Sequence, residues 1–138
     1  MKIQQTGIAC LKILITIAII GLLSIPILLL PKGFKGDLTL IGHGSVSVVL
    51  PFDKNLAGTT DTMELLNRIR PDFEERVEFL AVDIATPTGL NFVRNQRTGV
   101  LELIIFDTEG TRQAVLPAGP GETLLRSSIE QVLAGSAK

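Results

Sequence analysis

The sequence predicts an α/β fold in which a mixed sheet of four to five strands carries helices on both faces, behind an N-terminal transmembrane helix. Three observations predict this class. Residues 13–30 contain no charged side chain. Apolar segments of strand length then alternate with amphipathic, helix-like segments along the rest of the chain. Residues 107–110, Asp-Thr-Glu-Gly, have the composition of a tight hairpin turn, which adds an antiparallel strand to the sheet.

Composition excludes several classes of function. The chain has 138 residues and a formal net charge of −1. All 14 acidic residues but only 9 of the 13 basic ones follow residue 35, so the region 36–138 carries a charge of −5, which argues against nucleic-acid binding. With one cysteine and one histidine, the chain can form neither a Cys-only nor a multi-histidine metal site. No metal and no cofactor are therefore predicted.

The charge-free run 13–30 predicts a membrane anchor. As a helix, its 18 residues span about 27 Å, close to the hydrocarbon thickness of a bilayer. The run exceeds the roughly 7–15 apolar residues of a secretory signal, so we expect an uncleaved anchor that contacts membrane lipid. Pro26 lies within the run, where it is expected to kink the helix, and Pro31 and Gly33 are expected to end it.

Charges beside the run predict its orientation. The amino terminus, Lys2 and Lys12 flank one side, and Lys32 and Lys35 flank the other, so the charges are close to balanced. We expect residues 1–12 to be a short cytoplasmic tail, because an N-terminal tail with three positive charges most often stays in the cytoplasm. Residues 31–43 then form a linker and residues 44–138 an extracytoplasmic domain, in a periplasm or its equivalent. Cys10 precedes the apolar run and is interpreted as an unpaired thiol, with acylation as the alternative.

The N-terminus also resembles that of a type IV prepilin. A short basic leader ends in Gly7, and an apolar stretch containing residues 17–24 follows. This resemblance implies a pilin-like or pseudopilin-like assembly subunit processed after Gly7. The chain departs from the pattern at Ile8, where the family has Phe, and at Lys12, where the family has glutamate.

Residues 46–70 predict the first strand, loop and helix of the domain. The uncharged residues 46–52 have the composition of a strand that is covered on both faces. Asp61 followed by Glu64 resembles a capping box, so the helix is expected to start at Asp61 and to reach about Arg76. Pro71 is expected to kink or stop it.

The remaining elements follow from the same patterns. A connector contains a possible fifth strand and the loop residue His43. Strands separated by helices are expected to be parallel. The predicted segments are a connector strand at 38–41, strands at 77–84, 100–106 and 112–116, a short helix at 90–97, and a last helix from Glu122 that buries Leu125, Ile129, Val132 and Leu133 and ends before Gly135.

Three segments resemble a thioredoxin-like domain. Residues 79–84 are similar to the central strand of that family and its terminal Asp, residues 91–100 to the helix and the Arg-x-Gly-Val that lead into the third strand, and residues 103–110 to the next strand and hairpin. The resemblance covers residues 44–133 and implies a thioredoxin-like fold.

The departures from this family bear on function. By spacing from Asp83, the redox Cys-x-x-Cys falls on residues 56–59, Leu-Ala-Gly-Thr, which contain no sulfur. The family's cis-proline falls on Leu101. Thiol–disulfide exchange requires a thiolate, so dithiol oxidoreductase activity is not expected.

The resemblance implies a redox-inactive, membrane-anchored domain that binds an unknown protein partner or assists an envelope process. In the family, the surface around the redox turn and the cis-proline loop captures extended peptides. The corresponding residues here are Leu56, Ala57, Gly58, Thr59, Gly99, Val100 and Leu101, which together with Phe52 are expected to make an apolar, uncharged patch. The alternative is an enzyme with thiol-independent chemistry, for which the candidate groups are Asp53, Asp61, Asp83 and Glu102.

Overall fold

The polypeptide divides into two units, Met1–Lys32 and Gly33–Lys138. The structure is a computed structural model that describes residues 3–29 and 33–138, with side chains for 7–21 and 33–138. Each unit is described by itself below.

The first unit contains one helix, α1, Ile3–Leu29. Residues 3–12, predicted as a tail, belong to this helix, and it continues past Pro26. All described side chains from Gly7 to Gly21 are exposed. Among the residues that the structure describes, no helix is found to be long and apolar enough to cross a membrane. The predicted helix end at Pro31 lies outside the described residues, and processing after Gly7 stays a prediction.

The second unit contains the predicted order of strands and helices. Its elements are β1 (Val46–Phe52), α2 (Thr59–Phe73), β2 (Val77–Asp83), α3 (Pro87–Gln96), β3 (Leu103–Phe106), β4 (Arg112–Leu116) and α4 (Glu122–Ser136). A short 3-10 helix, Leu38–Leu40, precedes β1.

These strands form one mixed sheet in the order β2-β1-β3-β4. β1 and β2 are parallel from the pair Val46–Val77 to the pair Phe52–Asp83, as predicted for strands joined by a helix. β3 runs antiparallel to β1, and β4 runs antiparallel to β3. The mixed four-stranded sheet is therefore confirmed.

The prediction that β3 also runs parallel was wrong. A parallel crossover must return the chain to the amino ends of the strands. Here the connection after α3 returns to the carboxyl end of β1, where the Leu101 N–H donates to the Pro51 carbonyl at 2.8 Å. β3 starts two residues later, and it can pair with β1 only in the opposite direction.

The possible fifth strand at 38–41 does not form among the described residues. Leu38–Leu40 is the 3-10 helix, and the Asp37 side chain accepts a hydrogen bond from the Thr39 N–H at its start. Leu38, Leu40 and Ile41 pack against buried residues of the sheet. The described part of the predicted linker, 33–43, therefore belongs to the second unit.

The core lies on both faces of the sheet. One face packs against α2 and α4, with Leu66, Ile69, Leu125 and Ile129 fully buried. The other face packs against α3 through Phe92 and against the 3-10 helix. Both faces of β1 are covered, as its uncharged sequence predicts, and Val46–Leu50 are all buried.

Helix limits differ from prediction by a few residues. α2 starts at Thr59, and its N-cap is Gly58 with φ 86°, so Asp61 lies in the first turn and is not the cap that was predicted. A carboxylate in a first turn still interacts favourably with the helix dipole. Pro71 lies inside α2, which continues to Phe73. α3 starts at Pro87, within residues 86–89, whose Thr-Pro-Thr-Gly sequence is typical of a turn or a helix start; Thr86 caps the helix and Pro87 occupies its first position.

Candidate functional site

The candidate site lies at the carboxyl end of β1, where two loops meet. One loop connects β1 to α2, and the other connects α3 to β3. The Leu101 N–H donates to the Pro51 carbonyl, and a Cβ built on Gly58 lies 3.6 Å from Leu101 Cδ1. The structure thus brings together the two segments that the sequence analysis selected. We call the eight selected residues, Phe52, Leu56, Ala57, Gly58, Thr59, Gly99, Val100 and Leu101, the turn surface.

Asp53 organises the β1–α2 loop. Its carbonyl accepts from the Leu56 N–H at 3.1 Å and from Thr59 Oγ1 at 2.6 Å. Its carboxylate oxygen Oδ1 accepts from the Asn55 N–H at 2.9 Å. The Thr59 N–H closes the turn by donating to the Leu56 carbonyl at 3.3 Å. These bonds hold the loop in one conformation directly before α2.

The turn surface exposes only part of the eight residues. Leu56 is 45% exposed and Ala57 is also exposed, whereas Thr59 and Leu101 are buried at 7% and 9% exposure. Phe52 and Val100 are half-buried and pack against the core. The apolar group available to a partner is therefore centred on Leu56, with Ala57 beside it in sequence and the edge of Val100 on the second loop.

The second loop holds Leu101 in an uncommon backbone conformation. Leu101 has φ 66°, in the left-handed region that non-glycine residues rarely occupy, at a cost of about 1–3 kcal/mol. Two hydrogen bonds stabilise the loop around it. The Leu101 N–H donates to the Pro51 carbonyl, and the Glu102 carboxylate accepts from the Gly99 N–H at 2.7 Å.

Glu102 therefore lies in a different element from the strand that its sequence context suggested. It lies in the loop before β3, and not within an apolar strand that starts at residue 100. Its carboxylate accepts a backbone hydrogen bond, which is a structural role. The Thr98-Gly99 pair shortly before Glu102 has a turn-forming composition, which could have predicted that Glu102 lies in a loop.

An ion pair at the end of the parallel strands was missed by the sequence analysis. Lys54 Nζ lies 3.1 Å from Asp83 Oδ2. The Ala85 N–H donates to the other carboxylate oxygen of Asp83 at 2.9 Å. The Ala85 hydrogen bond and the Lys54 ammonium together lower the pKa of Asp83 below its usual value. The pairing follows from the register, because Phe52 lies opposite Asp83 and Lys54 comes two residues later.

Three of the four carboxylates that were considered for catalysis accept hydrogen bonds from nearby backbone N–H groups. Asp53 and Asp83 bind groups in their own turns, Glu102 binds Gly99, and Asp61 lies exposed in the first turn of α2. Among the described residues, no group of three or more His, Cys, Asp or Glu side chains could hold a metal ion.

A cleft of about 510 Å³ lies elsewhere, between the β3–β4 hairpin and the last turns of α4. Its polar groups include Asp107 and Gln113, which bind each other at 2.7 Å as part of the hairpin. Size alone does not make this cleft a site, since the Asp107 carboxylate is already used by the turn. The turn surface remains the better candidate.

Comparison with solved structures identifies the fold. This chain is similar to a thioredoxin-like protein from Clostridium perfringens, with a TM-score of 0.64 at 9% identity, covering 70% of this chain and 78% of that one. A thioredoxin from Thermus thermophilus gives 0.63 at 13% identity, covering 78% and 91%. The fold is thioredoxin-like. A thioredoxin from Trypanosoma brucei brucei gives 0.62 at 14% identity, covering 75% and 93%.

These identities are low, so the likeness concerns the fold alone. No protein-family model matches the sequence, and no curated protein matches it significantly. Residues 56–59 form the turn into α2, and Thr59 is the first residue of that helix. Leu101 occupies the loop that faces this turn. The predicted roles of the turn-surface residues in binding stay predictions.

Proposed function

We propose that this chain is a membrane-anchored, redox-inactive thioredoxin-like protein that binds a protein partner through its turn surface. The observation that carries the proposal is Leu56. A leucine that is 45% exposed stands at the turn before α2, where the redox-active members of the family place a cysteine. An apolar side chain there can contact a polypeptide but cannot exchange disulfides.

The absence of the required sulfur atoms supports the proposal that the protein is redox-inactive. The sequence has a single cysteine, Cys10, which lies in α1 and is outside the thioredoxin-like unit. Disulfide exchange by one protein needs a thiolate within reach of the bound disulfide, and the turn surface offers none.

The strain at Leu101 supports a binding role for the second loop. A left-handed leucine persists only where its surroundings fix it, and such residues concentrate at binding and active sites. Here Pro51 and Glu102 fix the loop against the β1–α2 turn. The result is a preorganised surface that loses little conformational entropy on binding.

The proposal of a membrane anchor rests on the sequence. Residues 13–30 carry no charge, and the described side chains of that run, up to residue 21, include five isoleucines that are at least half exposed. Membrane lipid would cover such a surface. The positive charges before the run support a cytoplasmic N-terminus and an extracytoplasmic domain.

Substituting Leu56 tests the binding proposal. We expect Leu56→Asp in the full chain to abolish chemical crosslinking to the partner in native membranes, because a carboxylate at the centre of an apolar contact must be desolvated. Leu124→Asp is the matched control, since Leu124 is 47% exposed on α4. Crosslinked products are compared by mass spectrometry. Equal yields from Leu56→Asp and the unmodified chain would reject the turn surface as the contact.

A further inference from the structure

Three arginines lie together where α3 ends. The guanidinium of Arg112, the first residue of β4, donates to the carbonyl of Gln96, the last residue of α3. Arg97 follows Gln96 in the chain, and its N–H donates to the Arg94 carbonyl at 3.3 Å. All three arginines are exposed. We call Arg94, Arg97 and Arg112 the arginine patch.

The backbone holds Arg97 in a conformation that usually belongs to glycine. Arg97 is the C-cap residue of α3 and has φ 53°, in the left-handed region. The next residue closes the helix end, because the Thr98 N–H donates to the Val93 carbonyl at 3.2 Å. The chain thus carries a charged side chain where glycine would be less strained, and such positions concentrate at binding sites.

The arginine patch lacks the carboxylate partners that other basic side chains of this unit have. Ion pairs are formed by Lys35, Lys54, Arg68 and Arg126. Among the side chains that the structure describes, no carboxylate forms an ion pair with an arginine of the patch. Two carboxylates from neighbouring segments have other partners, since Glu102 accepts from the Gly99 N–H and Asp107 accepts from its own turn. The charge of the patch is therefore available to another molecule.

The carboxyl end of α3 compensates only part of that charge. A helix end is equivalent to about half a negative charge, whereas each guanidinium carries a full positive charge. Arg112 uses one nitrogen on the Gln96 carbonyl, and the rest of its N–H donors remain free for a ligand. Capping of α3 alone therefore does not account for three arginines at one place.

The charge of the whole domain decides which anion fits the patch. Guanidinium groups bind carboxylates and phosphates through paired hydrogen bonds. The region 36–138 carries a charge of −5, so a long polyanion such as nucleic acid would be repelled by the rest of the domain. Binding to anionic lipid generally takes a cluster of about four to eight basic residues, more than the patch has. A short acidic stretch of polypeptide brings carboxylates to the patch without extending over the acidic remainder.

We propose that the arginine patch binds a short acidic segment of a partner protein, whose Asp or Glu carboxylates pair with Arg94, Arg97 and Arg112. The inference goes beyond the binding role of the turn surface and does not depend on it, because the two surfaces use different side chains. The pairs are exposed, so the affinity for the segment falls as the salt concentration rises.

Binding of a labelled acidic peptide tests the inference. Fluorescence anisotropy measures the affinity of fluorescent hexaglutamate for the full chain in detergent micelles at low salt. The patch variant carries Arg94→Gln and Arg97→Gln. The matched variant carries Arg76→Gln and Lys138→Gln, which remove the same charge from two other exposed positions.

We expect the patch variant to bind hexaglutamate about threefold to tenfold more weakly than the unmodified chain, and the matched variant less than about twofold more weakly. Equal losses in the two variants, or no binding by the unmodified chain, would overturn the inference. Glycerophosphoserine and an oligonucleotide serve as competitors. Displacement of the peptide by either one at a lower concentration than by unlabelled hexaglutamate would assign the patch to lipid headgroups or nucleic acid instead.

Carbodiimide coupling tests the same contact without removing a charge. Arg97→Lys keeps the positive charge and supplies an amine that carbodiimide joins to a peptide carboxylate, and Arg76→Lys is the control. Mass spectrometry maps the coupled residues. We expect more hexaglutamate on residue 97 than on residue 76, and equal coupling at the two positions would refute the proposed contact.

Discussion

Gly89 lets α3 approach the end of β2 more closely than a residue with a side chain could. The glycine is buried in the first turn of α3, and its N–H donates to the Thr86 hydroxyl that caps the helix. A Cβ built on it lies 2.0 Å from the Asp83 carbonyl oxygen. That contact is with backbone, so no side-chain rotation can relieve it. The residue thus fixes the seating of α3 beside the parallel strands.

We expect Gly89→Ala to lower the free energy of unfolding by about 1–3 kcal/mol, because α3 must move away from β2 to admit the methyl group. Urea unfolding of the full chain, followed by circular dichroism, measures the change. Gly135→Ala is the control, since nothing lies within 4 Å of its Cβ and it is in α4. Alanine there should leave stability unchanged or raise it by up to about 1 kcal/mol. Equal effects at both glycines would contradict the close packing.

The hairpin between β3 and β4 is an element built on one carboxylate. Asp107 Oδ1 accepts from the Glu109 N–H at 3.0 Å and from the Thr111 N–H at 2.9 Å, while Oδ2 accepts from Gln113 at 2.7 Å. The Thr111 N–H is the main cause that lowers the pKa of Asp107. Asp37 and Asp83 have lowered pKa values for the same kind of reason, hydrogen bonds to the charged form at the start of a turn.

A pKa that is lower in the folded state fixes the direction in which stability changes with pH. The charged form stabilises the fold above the unfolded-state pKa of about 4, and this stabilisation is lost as the pH falls through the folded-state pKa. We expect the free energy of unfolding of Asp107→Asn to depend less on pH, between about 7 and 3, than that of the unmodified chain. Thr111→Ala keeps the carboxylate and the backbone donor, so its pH slope should match that of the unmodified chain. Denaturant unfolding at several pH values checks both, and an unchanged slope in Asp107→Asn would be contrary to expectation.

At the scale of elements, the sequence predicted those whose patterns are local. β1 and β4 have their predicted limits because apolar composition and the 107–110 turn define them. The direction of β3 was not predictable in this way, since it depends on the hydrogen bond between Leu101 and Pro51, which are fifty residues apart. The 3-10 helix at Leu38–Leu40 was missed because its apolar residues fit a strand equally well.

At the scale of the whole molecule, the order of elements was enough to predict the mixed sheet with helices on both faces. That residues 52–59 and 99–101 would share one surface followed from the resemblance to a thioredoxin-like domain, and not from the order of elements. How much of each residue would be exposed was not predictable. Thr59 is buried and bonded to the Asp53 carbonyl, and Leu101 is buried within the core cluster, which leaves Leu56 as the main exposed group.

Under the proposed function, this thioredoxin-like domain does not exchange disulfides. Its geometry permits a direct comparison with a variant that has the missing sulfur atoms. The Thr59 N–H donates to the Leu56 carbonyl, so the two residues are the ends of a tight turn with Cα atoms within about 7 Å. A disulfide needs Cα atoms about 4.4–6.8 Å apart, so the spacing of residues 56 and 59 is compatible with one.

The most direct measurement is the rate at which the full chain, with dithiothreitol as the electron source, accelerates reduction of a protein disulfide. We expect the unmodified chain to match the rate without protein, since Leu56 and Thr59 supply no thiolate. A variant with Leu56→Cys and Thr59→Cys should form the disulfide and accelerate the reaction. Acceleration by the unmodified chain would contradict the account.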